Sequence, residues 1–458
     1  NRWGMEVEPE NDAMIDCPIQ HPDIDKSKPH ISYLVTNDEI DDAVRVEIVL
    51  QNDGRWKSTP LQVWTRGDLL SGFQGMAEGI FPKDAPTYKE LIDLMFANGT
   101  GFPDISRVNN FLSQILNIGG ASLKKEQRRR DIAAAVLYAT MIAGPYRKSE
   151  NHSSIVRIMV LLLSLIFHLV DKYKIEDKYW IGSYEIIWKD IITTARFLES
   201  EVNENGFESA FTTPFDGDLI PFRKHITTST IIALKVSEFI NKEDSWKNIL
   251  VPEAPQKYKN SITPWGEASF IPAILLACIF KNLKETEVIA SNLSQTVISL
   301  ILGFNGRNSK DLVGLLPPHF DIDFAMKLRF GLLEQEFEDK YIRSSYLLKP
   351  VLEIMVRLGK RKFISENWKE ISFIHFEEFI PKHSEDYFLW KIEEGENLTV
   401  LPKKEKSWKE ITEETNKYFG QTLPPTLKRF PAFLPFFLSV FPHRVNSETV
   451  GFLYRITV

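Results

Sequence analysis

Apolar residues that recur every three or four positions between Asp68 and Gly359 constrain this chain more than any other feature. Such spacing builds helices with one greasy face, and each face has to be covered by another element. Val108, Phe111, Leu112, Ile115 and Leu116 follow Asp104 in this rhythm and stop at Gly119-Gly120. Leu348, Val351, Leu352, Met355 and Leu358 follow Ser344 and close at Gly359. A small polar residue can cap the first turn, and a glycine ends the last. The same reasoning predicts helices opening at Asp68, Thr87, Ser122 (to Ala143), Asn151 or Ser153 (to about Tyr173), Ser183, Thr227, Thr263-Pro264 and near Glu285. Helices of this length joined by short polar turns predict a mainly α fold, an array of packed antiparallel helices, solenoid-like or α/α. No repeat of fixed period accompanies them, so no solenoid family is named.

Both ends depart from this pattern. Residues 1–67 are expected to form an irregular, Pro- and Asp-rich lead-in followed by a small β-hairpin. Val44, Val46, Ile48 and Leu50 alternate, Asp53-Gly54 is a hairpin turn signal, and Leu61 and Val63 mark a return strand behind Pro60. Residues 381–458 contain Pro424, Pro425, Pro431, Pro435 and Pro442 among Phe430, Phe433, Phe436 and Phe437. Prolines this dense forbid one long helix and predict a compact Pro/Phe-rich C-terminal module. Between the ends, a Gly-, Pro- and Asp-rich stretch at 205–223 separates a helical domain over 68–205 from a second helical array over 206–380.

The composition suits a protein with a large core. Hydrophobic residues make up 43%, charged residues 26%, and there are 31 Phe and 10 Trp. A net charge of -7 argues against a dedicated duplex nucleic-acid binder, whose affinity comes from cations on phosphates. The two cysteines, Cys17 and Cys278, make no disulfide framework or zinc motif, which points to a reducing, cytoplasmic setting. Four N-x-S/T sequons, at Asn98, Asn151, Asn292 and Asn397, are what chance supplies. The run Ile158–Val170 falls short of the ~20 residues that span a bilayer and reads as a buried helix. The chain starts at Asn1 rather than Met, which is read as a processed chain or one part of a longer polypeptide.

Six stretches carry candidate chemistry. Arg147 and His152 stand at the mouth of the apolar helix, where a guanidinium fork could hold a phosphate and an imidazole could move a proton. The pair resembles the Arg-x4-6-His element of HEPN ribonucleases, although Lys148 departs from the polar residue common after that arginine. The resemblance implies metal-independent RNA cleavage. His319, Asp321 and Asp323 alternate and could face one metal ion, but either aspartate could equally cap the helix that follows. Asp216 and Asp218 lie between prolines and read as a turn. Trp265 and Glu267 suggest a sugar-binding cleft in an α/α-toroid enzyme, but lack the second carboxylate that glycoside hydrolysis needs. Lys124, Lys125, Arg128, Arg129 and Arg130 form a basic stretch, either a solvated face or a contact for RNA or another acidic partner. A second basic cluster comprises Arg357, Lys360, Arg361 and Lys362.

No Walker A loop, Rossmann glycine motif, HExxH or GxSxG occurs, and no cofactor is expected. The leading expectation is therefore a non-enzymatic helical scaffold or regulatory module that binds a protein partner. A ribonuclease using Arg147 and His152 comes second, and an α/α-toroid enzyme third.

Overall fold

The computed structural model describes residues 3, 8–16, 32–36, 40–57, 60–68, 71, 85–120, 125–205, 220–243, 266–280, 287–307, 314–318, 320, 343–390, 395–400, 407–417, 420 and 422–457. The protein is mainly helical, with two small sheets among the described residues. Its contacts divide it into two units, Asn1–Lys89 and Glu90–Val458.

The first unit corrects the expected hairpin and irregular lead-in. It holds α1 (Glu8–Asp16), β1 (Ser32–Val35), α2 (Asp42–Asp53) and β2 (Leu61–Trp64). The strands pair in parallel, from Ser32 with Leu61 to Val35 with Trp64. Parallel strands cannot be joined by a tight turn, so the segment between them has to cross over, and α2 makes that crossing. Asp41 starts α2 by accepting a hydrogen bond from the Ala43 N–H at 3.0 Å. Gly54 ends it by donating to Leu50 O and Gln51 O. The alternation over 44–50 misled because Val44 and Ile48 also stand one helical turn apart. They pack with Trp3, Leu34, Trp56, Leu61 and Val63, while Val46, Val49 and Leu50 stay outside. Asp12 of α1 fixes the cluster by accepting from Trp56 Nε1 at 2.9 Å and from Arg55 Nη1 at 2.6 Å.

Asp68 is not the cap expected of it. Thr65 is: the Asp68 carboxylate accepts from the Thr65 N–H at 2.9 Å, and Thr65 Oγ1 accepts from the Asp68 N–H at 3.3 Å. This reciprocal pair opens a turn at 66–68. The rest of the helix expected to follow it lies outside the described residues, apart from 71.

α3 (Ala85–Met95) carries the chain into the second unit. There follow α4 (Ile105–Ile115), α5 (Lys125–Lys148), α6 (His152–Tyr173), α7 (Ile181–Asn205), α8 (Ile220–Ile240), α9 (Ile271–Phe280) and α10 (Glu287–Asn305). Next come β3 (Ser344–Ser345), α11 (Leu348–Arg357), α12 (Arg361–Ile371), β4 (His375–Pro381) and β5 (Gly395–Val400). The chain closes with α13 (Trp408–Thr415), α14 (Pro425–Arg429), α15 (Leu434–Val440) and α16 (Ser447–Ile456). β4 runs parallel to β3 and antiparallel to β5. Several expected caps are in place. Asp104 accepts from the Arg107 N–H at 3.0 Å, and Asn151 from the Ser154 N–H at 3.3 Å. On α11 the expected Ser344 is not the cap: Leu347 stands at that position, and Ser345 Oγ accepts from the first helical N–H, that of Leu348. Gly359 ends that helix at a φ of 67°, a conformation that favours glycine.

α6 is the axis of the second unit. Residues 158–170 are buried without interruption, and α4, α5, α7, α8, α14 and α15 pack around the helix. The expectation that its apolar run is too short to span a bilayer needs correction, because the helix has 22 residues. Among the described residues α6 and α10 are both long and apolar enough to cross a membrane. In α6, however, 94% of the apolar window is already buried inside the protein. Much of that cover is aromatic. The Phe167 ring meets Trp180, Tyr184, Phe388, Phe430 and Phe433 at centroid distances between 5.2 and 5.9 Å. The Pro/Phe-rich end of the chain thus packs in the same unit as the helices that precede it.

Candidate functional site

The turn from α5 to α6 positions the Arg147 and His152 pair. α5 passes through Pro145, whose missing N–H costs one helical bond. Asn151 then does three things. Its Oδ1 caps α6, while its Nδ2 donates to Gly99 O at 2.9 Å and to Gly101 O at 2.8 Å. Glycine is needed at 99, because a Cβ there would stand 2.1 Å from Pro145 O.

With this turn pinned, both candidate residues reach α7. Arg147 forms an ion pair with Asp190. His152 Nδ1 lies 2.9 Å from Glu201 Oε1 but makes no hydrogen bond among the described residues. The imidazole also stacks on Phe197, with centroids 5.9 Å apart. Asp190 and Glu201 stand three turns apart on α7, roughly 16 Å along its axis. The structure therefore brings Arg147 and His152 to one helix, each on its own carboxylate, and does not set them against each other.

What unites them is a stripe. At 100° per residue, Ile186, Asp190, Phe197 and Glu201 fall within about 60° of one another around α7. Ile186 is 64% exposed and Phe197 57%. The neighbouring face, centred about 110° round the helix, buries Ile187, Ile191, Ala195, Leu198 and Val202. Along this stripe Phe197 stands between Asp190 and Glu201, and Ile186 lies one turn before Asp190, so apolar and charged side chains alternate on an anchored helix, a mix that partner-binding surfaces carry.

The basic stretch does not act as one surface. Lys124 lies outside the described residues. Lys125 pairs with Glu176. Arg128 is buried, donates to Leu116 O at 2.8 Å past the end of α4, and lies over the Tyr173 ring. Arg129 and Arg130 remain exposed. In the second cluster Arg357 donates to Thr415 O, Lys360 faces Glu287, and Arg361 lies over Trp408.

His319, Asp321, Asp323, Asp216, Asp218 and Trp265 lie outside the described residues. Among the described residues no group of three or more His, Cys, Asp or Glu could hold a metal ion.

No protein-family model, curated protein or solved structure matches the chain.

The sequence reading missed the charges that the fold buries. Glu267 opens the apolar stretch of α9 and is fully enclosed. Its carboxyl accepts from Ser345 Oγ and from the Tyr346 N–H, the latter at 2.8 Å. Burial pushes it up to about 8, against the pull of those hydrogen bonds. Lys235 of α8 is buried between Glu199 of α7 at 2.8 Å and Glu238 at 3.0 Å, and Glu238 also meets Arg196. Arg444 is buried and donates to Leu389 O; Tyr387 Oη donates to Arg444 O. A fourth group joins Lys349, Glu353, Glu378 and Ser447. One signal could have found several of these: a pair of charges set three or four residues apart in a mostly apolar run, as in Ile231–Ile240 and Leu347–Val356.

Proposed function

We propose that the protein is a helical interaction scaffold, an array of stacked antiparallel helices whose α7 face receives a protein partner in the cytoplasm. One observation carries this reading: Ile186 and Phe197 stand exposed on a single stripe of a long helix whose neighbouring face is anchored in the core. Leaving apolar side chains in water gains nothing for folding, and covering them on binding is favourable. The Arg147–Asp190 and His152–Glu201 contacts on the same stripe would orient the partner more than hold it.

The ribonuclease reading needs Arg147 and His152 on one phosphate, and their separate engagement by Asp190 and Glu201 weighs against it. Purified protein should accordingly leave single-stranded RNA intact. Cleavage that disappears in both Arg147→Ala and His152→Ala would reinstate the nuclease.

The scaffold reading is tested by placing a photo-crosslinking residue at Phe197 and, separately, at Ile186. One discrete adduct of the same mass should form at both sites. It should vanish when the other site carries Asp, while the circular-dichroism spectrum stays unchanged. No adduct at either site, or adducts indifferent to the Asp substitution, would end the proposal.

A further inference from the structure

The first turn of α16 is held by two carboxyl groups that converge on one serine. Ser447 Oγ donates to Glu353 Oε1 at 2.8 Å, and the Ser447 N–H donates to Glu378 Oε1 at 3.3 Å. Glu378 has a cation of its own, because Lys349 Nζ donates to its other oxygen at 2.6 Å. Among the described residues Glu353 has no cation paired with it. Its Oε2 is buried without a hydrogen bond among the described residues. The three elements that meet here are α11, which supplies Lys349 and Glu353, β4, which supplies Glu378, and α16.

We propose that Glu353 is a proton-operated clasp on the first turn of α16, closed while its carboxyl holds a proton and open once that proton is lost. The protonated group is neutral, and the site holds one ammonium, one carboxylate and one acid. Losing the proton puts a second negative charge beside Glu378, with Lys349 already engaged and one oxygen cut off from water. Like charges this close disfavour each other, and a buried ion without partners is costlier still. The charged groups that bear on Glu353 are Lys349 and Arg357 of its own helix, which favour ionisation, and Glu378 from β4, which opposes it. Arg357 stands one turn away and also donates to Thr415 O. Burial outweighs both cations and the Ser447 hydrogen bond, which also favours the carboxylate, and pushes Glu353 up to about 7.

Opening would be local. Asn446 and Thr449 hold the turn by exchanging backbone-to-side-chain bonds at 2.9 and 3.0 Å, so the turn can lift as a unit. The far end of α16 is fixed by buried Leu453 and by Thr457 Oγ1, which donates to Cys278 O at 3.0 Å. The clasp therefore frees the start of the last helix and leaves its end in place.

Hydrogen exchange of the full chain, read by mass spectrometry and expressed as protection relative to the chemical rate, tests this from pH 5.5 to 9. Protection at residues 447–450 should fall by up to about tenfold per pH unit as pH rises toward about 7 and level off above it, as one group raised from 4.5 requires. Residues 158–170 of α6 should not change. Glu353→Gln, which is neutral at every pH, should keep the turn protected throughout. A flat wild-type profile, or a Glu353→Gln profile that falls like the wild type, would overturn the clasp. If that variant does not fold, isotope-edited infrared spectra of the wild type decide. The band of a protonated glutamic acid should be lost over the same range, and its absence at pH 6 would refute the proposal.

Discussion

Glu267→Gln separates the cost of a buried charge from the value of its contacts. Glu267 ties the start of the α9 segment to the first residues of α11 through Ser345 Oγ and the Tyr346 N–H. Its ordinary value is 4.5, and burial raises it to about 8 in the folded chain. Between those values the native state keeps a proton that the unfolded chain has released. Stability from this group is thus complete below pH 4.5 and is lost as pH rises through 8. At about 1.4 kcal/mol per unit, the whole span is worth up to about 5 kcal/mol. Glutamine is neutral at every pH. Its carbonyl can still accept from Tyr346, and its amide can donate to Ser345 Oγ. Urea unfolding at pH 5, 7 and 8.5 should therefore show the variant within about 1 kcal/mol of the wild type at pH 5 and a few kcal/mol more stable at pH 8.5. Wild-type and variant curves that stay parallel across this range would show that Glu267 is not the buried acid the geometry describes.

Three further outcomes follow from the core. Phe167→Ala should cost about 3–5 kcal/mol in chemical unfolding, since it removes the ring that five other rings meet. Lys235→Ala should cost a similar ~3–5 kcal/mol by leaving Glu199 and Glu238 without their shared cation, and adding Glu238→Gln should recover part of it in the same assay. His168 is buried on α6, with Nδ1 2.9 Å from Glu385 O, and burial lowers it from its ordinary 6.5. The unfolded chain takes up a proton there first, so wild-type stability should fall as pH drops below 6.5. His168→Asn should lose less between pH 7 and pH 5 when thermal midpoints are compared.

The helices were legible because their signals are local. Asp104 and Asn151 cap where the spacing of the next apolar residues says they should, and Gly359 ends α11 by the conformation only glycine adopts easily. The β-α-β unit was not legible, because Val44 and Ile48 satisfy both a two-residue and a helical period over so short a stretch. What decides between them is the pairing of Ser32–Val35 with Leu61–Trp64, which no local pattern encodes. The buried charges failed for the same reason. Ser447 and Glu353 are separated by 94 positions, and Ser447 and Glu378 by 69, so their meeting is a property of the fold. Of the candidate surface, Arg147 and His152 were picked out for phosphate chemistry. Asp190, Glu201 and Phe197, the residues that meet them, gave no signal of their own.

α6 is covered on one flank by residues synthesised long after it. Thr426 Oγ1 donates to Asp171 across 255 positions, and Phe430 and Phe433 close over Phe167. At about 5–20 residues per second, a ribosome needs roughly 13–50 s to make the missing cover. Throughout that interval the greasiest helix of the nascent chain waits half-dressed, long enough to be caught by a chaperone or a bilayer. A chain truncated before residue 425 would never leave that condition.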